Sequence, residues 1–395
     1  MELNVAIHPV QAAAIGALAL VAGAGIRFPG TLPEDSRWFF VAWATAALPI
    51  LFIQDWLLQM ALLLVWVSPV ASWIRVGSIS WPIATHIHKC ECGRGYGSLT
   101  SLLKEFSVPS LLAFQGGLLL LILLVAAIRA GWAWWLSMAL LAVALLDTLA
   151  GCAENGNARY RKWLTAARGP NDYVGLTGLS LSNPIHLAGA LVLATPIVLS
   201  VEGWASWIGV AAIGAAIAFT ATKVPLAAFV VVVSLWASTQ SPIVGLLVLP
   251  AAVAAPWVMQ RRGSGVWGYL VSLCSNDRRP RLWRIVLHYI RQAPISGVGM
   301  GAYWETAGKR FKDEDYKWWQ AHNEWLQVAM ECGVPCALLF ATWWSTATLA
   351  AFWDGRLETA LGLVAVAMLS MTEFPVRFAG TTPYVLYYAA RSIAH

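Results

Sequence analysis

The chain has 395 residues, 59% of them hydrophobic and 12% charged, with a formal net charge of +6. A soluble domain carries about 25% charged residues, so an ordinary soluble protein is excluded, and no nucleic-acid partner is expected. Apolar stretches of about 20 residues, enough to cross a bilayer, recur from end to end without alternating, which speaks against a transmembrane β-barrel. The composition predicts an all-α polytopic membrane protein of about twelve transmembrane helices.

The amino terminus, MELNVAIHPVQAAAIGALAL, has no basic n-region and no clear small-residue cleavage site, and reads as a retained first span rather than a signal peptide. Spans are expected at 10–27, 37–53, 56–75, 110–129, 131–150, 185–200, 204–221, 224–239, 242–258, 334–353, 357–373 and 378–394. Residues 1–258 thus hold nine spans, residues 259–333 one long loop, and residues 334–395 the last three spans. Shorter polar segments lie near 76–108 and 151–183. Twenty-three tryptophans suit interfacial belts, where an amphipathic ring is stable; a few could stack on sugars.

With this span count the three polar segments share one side, which carries 18 of the 26 Lys and Arg. The positive-inside rule would make that side cytoplasmic, although the rule weakens for long loops. No internal repeat is visible, nor a Rossmann fingerprint, Walker loop or zinc-protease helix.

The first polar segment contains THIHKCECG. His86, His88, Cys90 and Cys92 alternate, so an extended strand would put all four on one face. The spacing is not the usual zinc pattern, and an ordinary loop is the favoured reading. The six cysteines are too scattered for a disulfide framework, and Cys332 and Cys336 read as packing residues.

In the long loop, DRRPRLWRIVLHYIRQAPISGVGMGAY predicts an amphipathic helix. Leu282, Ile285, Val286, Tyr289 and Ile290 recur at helical spacing, Arg281, Arg284, His288 and Arg291 lie on other faces, and Pro294 ends it. Such a helix can lie on anionic lipid or present guanidinium forks to a phosphate or pyrophosphate. GVGMG then allows a tight turn and a close approach. After the mixed-charge KRFKDEDYKWWQ comes AHNEWLQVAMECGVP. Helical spacing would put His322, Leu326 and Ala329 near one face, and Asn323, Gln327 and Met330 near the next. A polar stripe at a helix mouth is a headgroup contact or a site wall, and ionisable groups near membrane depth favour the second.

The order and spacing of these pieces resemble the O-antigen ligase and polymerase superfamily. Its members carry a long extracytoplasmic loop with an Arg-containing helix, a Pro-x-x-Gly-x-Gly turn, a His-Asn pair, and Glu-x-Gly at the start of a span. The matching positions are Arg279, Pro294, Gly297, Gly299, His322, Asn323, Glu331 and Gly333. Upstream, LSNPIHLAGALVLATPIVL resembles the family's Asn-Pro span, and AFTATKVPLAAFV its Thr-x-Ser-Arg segment. One departure is clear: the family's Ser-Arg is Thr222-Lys223, and lysine keeps the charge but loses the planar fork.

The resemblance implies transfer of a glycan from undecaprenyl pyrophosphate to an acceptor hydroxyl, on a lipid A core or similar molecule, in the bacterial inner membrane. The active site would face the periplasm, against the charge count. It implies His322 as general base, with Arg279 and Lys223 offsetting charge on the leaving pyrophosphate. Asn323, Arg284, Arg291, Gly297, Gly299 and Glu331 would bind substrate, Glu331 by pairing with a basic residue. Inversion is expected, with no cofactor and no metal. The expected partners are the lipid-linked donor, the lipid or glycan acceptor, and membrane lipids. A polymerase of the same superfamily is the alternative. A secondary transporter with His322 as proton relay is disfavoured, because it usually shows paired repeats and several mid-span ionisable groups.

Overall fold

The computed structural model describes residues 50, 53, 55–66, 108–156, 184–201, 203–220, 222–241, 279–308, 310, 320–377 and 380–394. The expected spans 10–27 and 242–258, most of 37–53, residues 67–75 and the 86–92 His/Cys segment lie outside them. Among the described residues the regular structure is all helical, with no strand.

The helices are α1 (Trp56–Trp66), α2 (Val108–Arg129), α3 (Ala133–Gly156), α4 (Pro184–Leu199), α5 (Trp204–Phe219), α6 (Lys223–Gln240), α7 (Arg279–Gln292), α8 (Glu324–Cys332), α9 (Val334–Trp353), α10 (Leu357–Ser370) and α11 (Thr382–Ile393). Eight expected spans have their helix within a few residues. Two differences matter. The short α8 is a separate helix before α9, because Gly333 takes φ 93° between them. And α10 stops at Ser370, not 373: Met371 and Thr372 bond three residues back, to the Met368 and Leu369 carbonyls, and Pro375 has no N–H to carry the ladder on. This leaves 371–377 as a loop.

Among the described residues two segments, Ala133–Ala150 and Val334–Trp353, are long and apolar enough to cross a membrane. Val143, Leu145, Leu146 and Leu149 of α3 all lie exposed. An outward face of that kind suits acyl chains and not water.

The chain forms two compact units. The first comprises Met1–Ile122, Ile285–Trp319 and Leu326–Ala341; the second comprises Leu123–Arg284, Gln320–Trp325 and Thr342–His395. In the first, Asp55 caps α1 by accepting from the Leu58 N–H at 3.1 Å, which satisfies one orphan donor of the first turn. Val65, Met300, Cys332 and Cys336 pack in its core.

In the second unit α4 is the centre. It is buried along nearly its whole length, as expected of a helix that is apolar all round, and it packs on α3, α5, α6, α10 and α11. A Cβ on Gly362 would come within 2.2 Å of the Tyr388 ring, so α10 and α11 meet over a glycine, as membrane helices often do. Tyr388 donates to the Leu193 carbonyl at 2.6 Å, one turn below Pro196, which removes an N–H from the α4 ladder. The short turns after α4 and α5 reverse the chain twice. The N-termini of α4, α6 and α11 and the C-terminus of α10 therefore lie at one end. At the other end, Arg129 and Arg356 donate to the Ala394 and Arg391 carbonyls at 3.5 and 3.2 Å. They meet the orphan carbonyls of the α11 C-terminus, where positive charge is favoured.

Candidate active site

The His-Asn pair is not on a helix face. It sits in the bend before α8, and His322 has φ 49°, the one positive φ of a non-glycine residue among those described. The left-handed region costs an L-residue about 1–2 kcal/mol, and such strain persists where neighbours over-determine it. Four contacts do so here, all within the second unit. The Trp283 indole N–H donates to the Ala321 carbonyl at 2.9 Å. Asn323 Nδ2 donates to the Met371 carbonyl at 2.9 Å. Arg377 Nε pairs with Glu324 Oε1 at 2.6 Å. His322 Nδ1 lies 3.2 Å from Glu373 Oε2.

Glu373 holds a second partner. Its Oε1 accepts from Arg279 Nη2 at 2.6 Å. The pair is largely shielded, at 17% and 10% side-chain exposure, where charge-assisted bonds are strong. One carboxylate therefore spans the arginine at the start of α7 and the imidazole before α8. A carboxylate has only acceptors, so the bond to His322 requires the proton on Nδ1; in the neutral ring Nε2 is then the acceptor.

Phe374 stands between two imidazoles. Its ring centroid is 5.1 Å from that of His322 and 5.9 Å from that of His186, both edge-on. His186 is in the first turn of α4 and, with Glu373, Phe374, Gly189, Leu369 and Thr381, lines a small cavity. Lys223 opens α6 at this same end of the unit. Arg284 lies exposed on α7, as does Arg281.

Gly297, Gly299 and Glu331 belong to the first unit, with the exposed Arg291. Val298 and Gly299 donate to the Met330 and Glu331 carbonyls at 2.8 and 2.9 Å, and Val334 donates to that of Pro294 at 2.7 Å. A Cβ on Gly297 would lie 2.3 Å from the Glu331 carbonyl oxygen, and one on Gly333 would lie 1.9 Å from that of Ile295. The Pro-x-x-Gly-x-Gly turn and the end of α8 thus close into a backbone clasp that admits no side chain at either glycine. Glu331 is fully buried and sits in α8, not in the following span. Its Oε1 accepts from Gln327 Nε2 at 3.2 Å and from the Tyr303 N–H at 3.4 Å. Burial, and then the neighbouring Glu331, push the Tyr303 phenol above its ordinary value.

The structure thus gathers Arg279, His322 and Asn323, sets Lys223 at the same end, and puts the glycines and Glu331 into the clasp. Sequence reasoning missed Glu373, Arg377, Phe374 and the placement of His186. The available signal was an ionisable pair, Glu373 and Arg377, at the mouth of an apolar segment. Among the described residues no group of three or more His, Cys, Asp or Glu could hold a metal ion.

Residues 187–341 match the family model described as O-antigen ligase, which bears out the resemblance read from the motifs. The matched segment is less than half of the chain. It includes Arg279, His322 and Asn323 but ends before Glu373. No curated protein matches the chain.

Proposed function

We propose that this chain is an O-antigen ligase-like membrane glycosyltransferase, moving a glycan from undecaprenyl pyrophosphate to an acceptor hydroxyl. The observation that carries the proposal is the ordered triple Arg279–Glu373–His322, two of whose members lie in the family-matched segment.

The chemistry follows from the residues. A sugar hydroxyl is a poor nucleophile near neutral pH. His322 Nε2 takes its proton as the oxygen attacks the anomeric carbon of the donor, and such a base contributes about 10²–10⁴-fold. The carbon–oxygen bond to the pyrophosphate breaks on the opposite face, so the anomeric configuration inverts. The electron pair leaves with the pyrophosphate, and Arg279 and Lys223 offset the charge that develops there. Arg284, exposed on α7, extends the cationic surface toward the substrates, and Asn323 orients the histidine bend.

The site end faces the periplasm in this account. The short turns at the far end of the second unit carry Arg129 and Arg356, and α11 ends there with Arg391. The positive-inside rule weighs short loops most, so these arginines support a cytoplasmic far end and soften the conflict posed by the basic long loop.

The test is transfer by the purified protein from an undecaprenyl-pyrophosphate glycan, with and without a lipid A core acceptor. Acceptor-dependent product with inverted linkage is expected. Chain growth without acceptor would make it a polymerase, and uptake into proteoliposomes without covalent product would make it a transporter.

A further inference from the structure

Glu373 has no place in the motifs that identify the site, and it lies beyond the matched segment. It is nevertheless bonded to both Arg279 and His322. Its loop is tied from both sides. The Glu373 N–H donates to the Leu369 carbonyl at 2.8 Å. Thr381 Oγ1 donates to the Pro375 carbonyl at 2.7 Å, and Thr382 Oγ1 to that of Val376 at 2.9 Å. Asn323 and Arg377 add the contacts to Met371 and Glu324. A carboxylate so held is pre-set before any substrate arrives, and this is what orientation of a catalytic group requires.

We infer that Glu373 is the positioning residue of this site, acting through His322. Its Oε2 holds the imidazole in the tautomer with hydrogen on Nδ1 and a lone pair on Nε2. When Nε2 accepts the hydroxyl proton, the imidazolium that forms has a carboxylate 3.2 Å from Nδ1. The proton moves only from the acceptor oxygen to Nε2; Glu373 gains none. Its Oε1 meanwhile keeps Arg279 in register with the base, so the groups acting on the nucleophile and on the leaving pyrophosphate share one anchor. This rests on the reading of His322 as base.

The experiment measures transfer kinetics for wild type, Glu373→Gln, Glu373→Asp, His322→Ala and the double variant His322→Ala/Glu373→Gln in one detergent or nanodisc preparation. Glu373→Gln is expected to lower kcat about 10²-fold or more with little change in the acceptor KM. Glu373→Asp keeps the charge, one methylene short, and should recover part of that loss. Residues acting as a unit are non-additive, so the double variant should be no slower than His322→Ala. In ¹⁵N-histidine spectra the His322 signal should leave the Nδ1–H tautomer pattern in Glu373→Gln. A further loss in the double variant, or Glu373→Asp no better than Glu373→Gln, would overturn the positioning role. Full activity in Glu373→Gln beside a dead His322→Ala would also overturn it and leave the base intact. Full activity in His322→Ala would instead remove the base itself.

Discussion

Gly333→Ala tests whether the glycine motif of the long loop is a structural clasp. Gly333 has φ 93°, and a Cβ there would stand 1.9 Å from the Ile295 carbonyl oxygen and 2.6 Å from its carbon. Both are backbone atoms, so the clash cannot be relieved by turning a side chain. The left-handed backbone alone costs alanine about 1–2 kcal/mol. Pushing the two segments of the clasp apart also removes the Val298–Met330, Gly299–Glu331 and Val334–Pro294 bonds, each worth about 1 kcal/mol net. The sum is about 4–5 kcal/mol, far into the tail of single substitutions. Gly355→Ala is the control: its φ is 72°, with nothing within 4 Å of a Cβ, so only the backbone cost of about 1–2 kcal/mol applies. Unfolding titrations of both variants in mixed micelles measure the difference. Equal stabilities would refute the clasp.

Lys223→Arg should retain transfer and Lys223→Ala lose most of it, read as kcat on the lipid-linked donor; an active alanine variant would take Lys223 out of the site. Tyr388→Phe should cost about 1–2 kcal/mol in the same micelle titration, because the Leu193 carbonyl loses a donor where water cannot replace it. Arg377→Ala should destabilise by about 2 kcal/mol and Glu324→Gln by less, since only the first leaves a buried carboxylate without that cation. Unfolding midpoints rank the two, and the reverse order would contradict the pair's burial.

Much of the helical frame is legible in the sequence because it rests on length and apolarity. Helix α9 spans the expected residues, and the buried side of α7 holds Leu282, Val286, Tyr289 and Ile290 as the 3.6-residue period requires. The site is less legible. Periodicity placed His322 on a helix face, but the backbone turns left-handed there under contacts from distant residues. Glu373 lies 51 positions from His322, beyond the three helices α8, α9 and α10, and the expected span runs on to 373. Only the stop at Ser370 reveals that the carboxylate belongs to a loop. The glycines were readable as a tight turn, but their partner was not, since the Glu331 and Ile295 carbonyls carry no side-chain signature. What was visible locally was chemistry by residue type; what was hidden was pairing across the fold.

The most direct measurement compares transfer from an undecaprenyl-pyrophosphate glycan by wild type and His322→Ala, with chelator present. Transfer that survives chelation and falls at least about 10²-fold in the variant is the predicted result, with the imidazole beside Glu373 as the base. Equal transfer by both proteins would contradict the account, whatever family the loop resembles.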